Sequence, residues 1–543
     1  MNIEAQIKKL LPQSDISLEV PQSPDHGEYS SNIAMKLAKT YKKNPRELAQ
    51  ELINQMDFSG TYINKVEIAG AGYINFFASD EWFVDMPSHV VQMGDAWGSN
   101  NTLEGERICL EYVSANPTGP MHMGNARGGA LGDSLARAMS ACGAQVTKEF
   151  YLNDAGNQIA KLEMSLDARF RQLKGEDLDF NEDWYQGQDV IDHAQAWADK
   201  GNSTSEGLLS YALEQNISNM KQILQSYNID YDVWFHESVL YESDAVNKAI
   251  QMLRDNNQIY EKDGAVWLRT EGDMKDEVLI RENGIPTYFA ADIAYHYNKF
   301  VERGFTKAID VWGADHGGHI ARMKAAMQCL GIDPANLEII TIQLVRLMRD
   351  GQIARMSKRK GDTISLGDLI EEIGVDSARF FFNMRNSGSA FDFDLDLAVK
   401  QSSDNPVFYV QYAHARICSI LEQSNVSYEE LLQLAQDKSN KPSYKYDTPQ
   451  ERALIRRIAL YPRELVNASH MYEPSSLTTY VRNVASDFHA FYTACKVNNA
   501  GDESIKNARL ILALAARQTI KNVLEILGVA APEKMKKLTD EQL

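Results

Sequence analysis

R-I-C-L-E-Y-V-S-A-N-P-T-G-P-M-H-M-G-N-A-R-G, residues 107–128, holds the change of pattern that decides the fold. Residues 107–113 form a near-continuous apolar run, as expected of a strand buried in a parallel sheet. A loop rich in glycine and proline follows, and then a helix from about 125 to 142. In that helix Leu131, Leu135, Met139 and Cys142 recur at helical spacing, and Gly143 supplies the stop. Residues 146–152 read as the next strand. Strand, glycine-bearing loop, helix and strand make one βαβ unit of a nucleotide-binding α/β domain.

Working outward, residues 1–100 read as a small α+β unit. Helical periodicity runs through I-A-M-K-L-A-K and P-R-E-L-A-Q-E-L-I, and strand character through 66–76. The segment W-G-S-N-N-T-L-E-G then suits a linker. The α/β domain spans 106–385. Residues 156–225, mostly helical with an acidic patch E-D-L-D-F-N-E-D, read as an insertion into it. A-V-W-L-R, K-A-I-D-V-W-G and L-E-I-I-T-I-Q-L-V are expected to resume the sheet. From about Asn405 no strand pattern remains, and residues 386–543 read as an all-helical bundle. The expected fold class is therefore multidomain α/β, a Rossmann-type parallel sheet with an α+β unit before it and helices after.

Composition excludes several classes. No stretch approaches the length of an apolar membrane span, and the N-terminus lacks the order of a secretory signal. The 5 cysteines are scattered with no C-x-x-C pair, which argues against a zinc ribbon or a disulfide framework and for a reducing cytoplasm. Net charge is −20, yet phosphate binding needs only a local basic stripe. Lys36, Lys39, Lys42, Lys43 and Arg46 form one cluster, and Lys358, Arg359 and Lys360 another.

Two segments carry chemistry. P-M-H-M-G-N-A-R-G, residues 120–128, stands at the start of a helix, where unpaired N–H groups and partial positive charge attract phosphate. His122 can donate to a phosphate oxygen, and Gly124 lets the backbone approach a ligand. A-R-M-S-K-R-K-G-D, residues 354–362, places Lys358 in a segment too polar for a core. Alone, the first is compatible with a structural histidine and the second with a solvated loop. Together they resemble the paired signatures of class I aminoacyl-tRNA synthetases. Adenylate formation requires charge neutralised at both ends of a triphosphate, and one loop serves each end.

Further segments narrow the resemblance. Residues 111–128, 288–296 (Y-F-A-A-D-I-A-Y-H), 311–326 (V-W-G-A-D-H-G-G-H-I-A-R-M-K-A-A) and 392–417 resemble the arginyl-tRNA synthetase family. D-H-G-E-Y-S-S-N-I-A-M-K-L-A-K, residues 25–39, resembles that family's extra N-terminal domain. The resemblance implies an arginine site of Glu111, Asn116, Tyr288, Asp292 and His316. It implies an ATP site of Gly119, Pro120, His122, Gly124, Asn125, Met356, Ser357 and Lys358, with His122, Asn125 and Lys358 as catalytic groups. Residue chemistry agrees with this. A guanidinium seeks a planar carboxylate; Glu111 ends an apolar strand, a costly place for a charge unless a cation arrives. Asp292 lies four residues after Tyr288, so a helix would turn both toward one pocket.

There are two departures: Asn125 stands where the first signature has its second histidine, and Arg355 where the second has its first lysine. V-D-S-A-R-F-F-F resembles the motif preceding the family's anticodon-binding bundle, with Arg379 as its basic residue, bound either to RNA or in a salt bridge at a domain junction. Tyr409, Tyr412, His414 and Arg416 offer aromatic and cationic groups that could stack on anticodon bases. The resemblance further implies tRNA(Arg), L-arginine and ATP as partners, Mg2+ held by phosphate rather than a dedicated metal site, a monomer, and a need for tRNA even in the first step. A cysteinyl enzyme would need thiolate metal ligands that these cysteines do not provide. A silent RNA-binding paralogue would not need His122, Lys358, Glu111 and Asp292.

Overall fold

The computed structural model describes residues 1–11, 16–270, 275–354, 364–436 and 444–536. Five parallel strands form its central sheet: Arg107–Glu111, Gln145–Leu152, Val233–His236, Lys307–Gly313 and Leu337–Ile342. Numbered in chain order they lie side by side as 3-2-1-4-5. The order reverses between the first and fourth strands, and at such a reversal a crevice opens beyond the strands' carboxyl ends. Ile108, Cys109 and Leu110 are at most 1% exposed, which explains the uninterrupted apolar run. The helix Gly124–Ala141 packs back onto the sheet so closely that a Cβ on Gly132 would stand 2.3 Å from the Tyr112 ring. Only glycine permits that approach.

The expected helical segment 156–225 forms three helices, Asn157–Leu173, Gln188–Asp199 and Leu208–Ser226, packed around Leu166, Phe170, Val190 and Leu208. One strand expectation fails. Ala265–Leu268 does not join the parallel sheet; it pairs antiparallel with Ile259–Lys262 and Glu277–Ile280 in a separate sheet. Asp263 and Gly264, both at positive φ, make a two-residue Asp-Gly hairpin turn, so the strand finds its partner locally.

The unit boundaries differ from the expected ones in two places. The N-terminal antiparallel sheet ends at Ala78, and the next helix, Asp80–Met93, is built into the C-terminal bundle. Arg452 donates to Asp80 (2.6 Å) and Asn522 to the Trp97 carbonyl (2.9 Å). Phe391–Asp394 still pairs with Val345–Arg349, so sheet structure continues past residue 386. Beyond 405 the described residues are helices and connections, the longest helices being Ser475–Ala494 and Glu503–Ile526.

Arg379 is fully buried where these parts meet. It donates to Asp133 (2.6 Å) on the helix Gly124–Ala141, to the Tyr227 carbonyl (3.0 Å) and to the Leu527 carbonyl (2.8 Å). Of the two roles open to it, the junction is the one its surroundings support.

Candidate active site

The first strand ends in an unusual turn. Val113 and Ser114 are both left-handed, at φ 71° and 42°, and for β-branched valine that conformation is strained. The turn throws residues 115–121 over the crevice and places Ser114 Oγ against Glu111 Oε1 at 2.9 Å. Beneath the loop lies a cavity of about 950 Å³. Glu111, Asn116, Gly119, Pro120, His122, Asn125, Asp292 and His316 all line it. Residues as far apart in sequence as 111 and 316 therefore share one space.

On one side stands the helix start. His122 Nδ1 accepts from the Gly124 N–H at 3.0 Å, which fixes Nε2 as the protonated ring nitrogen of a neutral imidazole. Asn125 Oδ1 accepts from the His122 N–H (3.1 Å), which leaves the Nδ2 group uncommitted among the described residues. Gly124 was expected to admit a ligand. What it admits is the His122 ring, since a Cβ there would stand 2.7 Å from Cε1. Met356, Ser357, Lys358 and the neighbouring Arg355, Arg359 and Lys360 lie outside the described residues. The strand-like segment just after them is described: Met123 N–H donates to the Ile364 carbonyl and Leu366 N–H to the Met121 carbonyl (2.9 and 2.8 Å). Residues 364–366, which follow the second signature in sequence, thus lie backbone to backbone with the first.

A row of carboxylates crosses the sheet under the cavity, and two of them, Glu111 and Asp310, line its floor. Glu149, Glu111 and Asp310 are register partners on the second, first and fourth strands, and all are at most 6% exposed. Their countercharges come from one short stretch of chain. Lys299 bridges Glu111 (2.6 Å) and Asp310 (2.8 Å), and Arg303 pairs with Glu149. His296 joins Asp310 (2.8 Å) to the Asp292 carbonyl (2.8 Å). Lys299 lies in the π-helical turn Asn298–Glu302 that ends the helix Tyr288–Tyr297. Burial opposes the charge on Asp310, but Lys299 outweighs it and holds this carboxyl down at about 2. Burial raises the Glu111 pKa, and Lys299 partly offsets the rise. The cation that Glu111 was expected to await is already supplied by the chain.

Asp292 stands apart on the side wall. Its carboxylate is 39% exposed, and it accepts only from His319 Nε2, at 3.0 Å, among the described residues. Trp312 and His316 are neighbours, their rings 6.0 Å apart. Tyr288, one turn before Asp292, was expected to face the same pocket but is absent from its lining. It is the first residue of its helix and 51% exposed, and its hydroxyl would lie 3.2 Å from a Cβ on Gly156. Opposite, the helical insertion contributes Gln158, Tyr185 and Asp189, and Asn116 donates to Gln158 (2.5 Å).

The comparisons with known proteins agree along the whole chain. Residues 88–402 match the family model described as the tRNA synthetases class I (R) catalytic domain. Residues 1–78 match the arginyl tRNA synthetase N terminal domain, and 410–535 the DALR anticodon binding domain. The chain is 49% identical to an arginine–tRNA ligase of Ruminiclostridium cellulolyticum, covering 97% of this chain and 94% of that one. It is 48% identical to that of Acetivibrio thermocellus, covering 97% and 95%. The chain belongs to the arginyl-tRNA synthetase family. An arginyl-tRNA synthetase structure from Campylobacter jejuni is 34% identical, with a TM-score of 0.77, over 84% of this chain and 100% of that one. The Thermus thermophilus arginyl-tRNA synthetase, at 20% identity, shares the fold (TM-score 0.79) over 98% of this chain and all of its own.

As a member of that family the chain is an arginine–tRNA ligase, and as a class I synthetase it uses ATP. Among the described residues no helix is long and apolar enough to cross a membrane. In the bundle, the helix Pro406–Gln423 carries the residues expected to meet RNA. Tyr412 is buried against His489, and His414 is buried with its ring on the Pro532 carbonyl (2.9 Å). Both are core residues, because the faces they occupy are covered by neighbouring segments. Tyr409 and Arg416 are half-buried, the guanidinium 4.6 Å over the Tyr492 ring. The sequence reading missed Lys299, Asp310, His296 and His319. A clue was present: His296, Lys299 and Arg303 recur at helical spacing in an apolar segment, and basic groups there need buried partners.

Proposed function

We propose that the cavity at the strand reversal is where arginine is activated. The guanidinium meets Asp292, a pocket carboxylate that no lysine or arginine pairs with among the described residues. Glu111, balanced by Lys299, adds a hydrogen-bond acceptor at the floor; Asn116 and His316 supply polar contacts at the rim. ATP lies across the helix start, with the Nε2–H of His122 and the amide of Asn125 toward its phosphates and Lys358 meeting them from the second signature. Gly119 and Pro120 shape that seat. ATP arrives as its Mg2+ complex, the ion held by phosphate and water oxygens. Among the described residues no three His, Cys, Asp or Glu side chains converge to hold a metal of their own.

The arginine carboxylate attacks the α-phosphate and pyrophosphate leaves; the terminal 2′-hydroxyl of tRNA(Arg) then attacks the activated carbonyl, the acyl–phosphate bond breaks and AMP leaves, the hydroxyl proton going to solvent or to the departing phosphate. No protein nucleophile is needed, because positioning and charge neutralisation carry the step. The N-terminal unit and the bundle hold the tRNA, the latter through Tyr409 and Arg416. A monomer acting in the cytoplasm suits cysteines that form no disulfide among the described residues and a pocket lined by one chain.

The observation that carries this reading is the shared cavity, with the side chains of His122 and Asn125 on one side and the Asp292 carboxylate on the other. The experiment is arginine-dependent ATP–pyrophosphate exchange with and without tRNA(Arg). Exchange that requires arginine and tRNA is expected. Exchange in tRNA's absence would remove the proposed tRNA requirement, and exchange unchanged in Asp292→Asn would remove the proposed pocket.

A further inference from the structure

We infer that His319 is a positioning residue for arginine recognition: it pins the Asp292 carboxylate in the plane that receives the guanidinium. The inference rests on the reading of Asp292 given above. His319 Nε2 lies 3.0 Å from Asp292 Oδ2. The imidazole is itself fixed, its centroid 5.6 Å from Trp312 at an interplanar angle of 36° and 5.4 Å from Phe289 at 73°. Its side chain is 18% exposed, that of Asp292 39%. A second histidine holds the main chain at the same residue, because His296 bridges the Asp292 carbonyl to buried Asp310. Asp292 is thus held at both ends, at its carbonyl from the sheet and at its carboxylate from the helix Gly317–Cys329.

The physical consequence concerns orientation. A guanidinium makes two parallel hydrogen bonds only to a carboxylate in its own plane. The terminal torsion of an aspartate is broad, so an unheld Asp292 samples many planes. One N–H on Oδ2 selects a plane and uses only one of about four acceptor positions. The imidazole does this with a single hydrogen bond, so the remaining acceptor positions stay open to the guanidinium.

The test compares His319→Phe, which keeps the ring packing and loses the donor, with His319→Gln, which keeps an N–H donor. His319→Phe should raise KM for arginine about tenfold, the worth of a hydrogen bond to a charged group, with kcat and KM for ATP within about twofold. His319→Gln should restore most of that loss. In an Asp292→Asn background His319→Phe should add nothing further. KM for arginine unchanged in His319→Phe, or equally raised in both variants, overturns the inference. If Asp292→Asn itself leaves KM unchanged, the arginine-site reading fails first. If Asp292→Asn raises KM and His319→Phe does not, only the positioning role fails.

Discussion

Two of the carboxylates that line the cavity are of opposite design. Glu111, on the floor, is buried, receives the Lys299 ammonium at 2.6 Å, and belongs to a lattice of charges that spans three strands. Asp292, on the side wall, is more than a third exposed and among the described residues pairs only with the His319 imidazole. Chemically they are alike, yet one is spent on the fold and the other is available to a ligand. Burial and pairing separate the two roles, and a carboxylate near a site is a recognition group only when its charge is left unbalanced.

The sharpest way to break this contrast is at the floor. Lys299→Met leaves Glu111 and Asp310 buried side by side with their shared cation gone. Removing one partner of such a buried pair costs about 3–5 kcal/mol. The expected outcome is a stability loss of that size in chemical denaturation, or a protein that does not fold at growth temperature. A variant that unfolds like wild type would mean that the floor is not held by charge.

The wall should respond in another currency. Asp292→Asn keeps the shape and His319 can still reach the amide oxygen, so the denaturation midpoint should stay within about 0.5 kcal/mol of wild type. KM for arginine should rise about a hundredfold, because a partly desolvated charge pair is worth about 2–5 kcal/mol. Glu111→Gln should show the reverse proportions, with more stability lost and less affinity. Equal profiles for the two variants would dissolve the distinction.

The unevenness of what could be read in advance has the same physical origin. The strand, loop and helix of 107–142 were legible because burial on both faces leaves a continuous apolar run and tight packing leaves glycines. His122 and Asp292 were legible through the family's motifs. The charge lattice was not: Glu111, Glu149, Lys299, Arg303 and Asp310 meet only through strand register and a π-helical turn, and no local pattern encodes either. Ala265–Leu268 was misplaced because an apolar strand looks the same in any sheet, although the Asp-Gly turn before it marked a hairpin. Tyr412 was misread because an aromatic residue on a bundle helix suits a core as well as a binding surface. Periodicity shows that a face is apolar but not what covers it.

The smallest expected effect lies just behind the wall. Buried Glu237 follows the third strand and shares the electrostatic field of Asp292. Burial pushes its carboxyl from 4.5 up to about 7, and Asp292 and Asp154 add to the rise. The folded state therefore keeps this proton through a range in which the unfolded chain has lost it. Stability from Glu237 is fully present below pH 4.5 and is lost as pH rises to about 7. His489 tilts the other way. Burial, with Arg416 beside it, lowers its imidazole from 6.5 to about 4, so its contribution is present above pH 6.5 and lost as pH falls toward 4. The total slope between pH 5 and 7 mixes the two, and the informative quantity is the difference between wild type and Glu237→Gln. From urea midpoints at those two pH values, the variant should gain on wild type by about 2 kcal/mol as pH rises. A difference that does not change with pH would show that Glu237 is already ionised in the fold, and the negative charge of the wall would then belong to a pair of carboxylates and not to Asp292 alone.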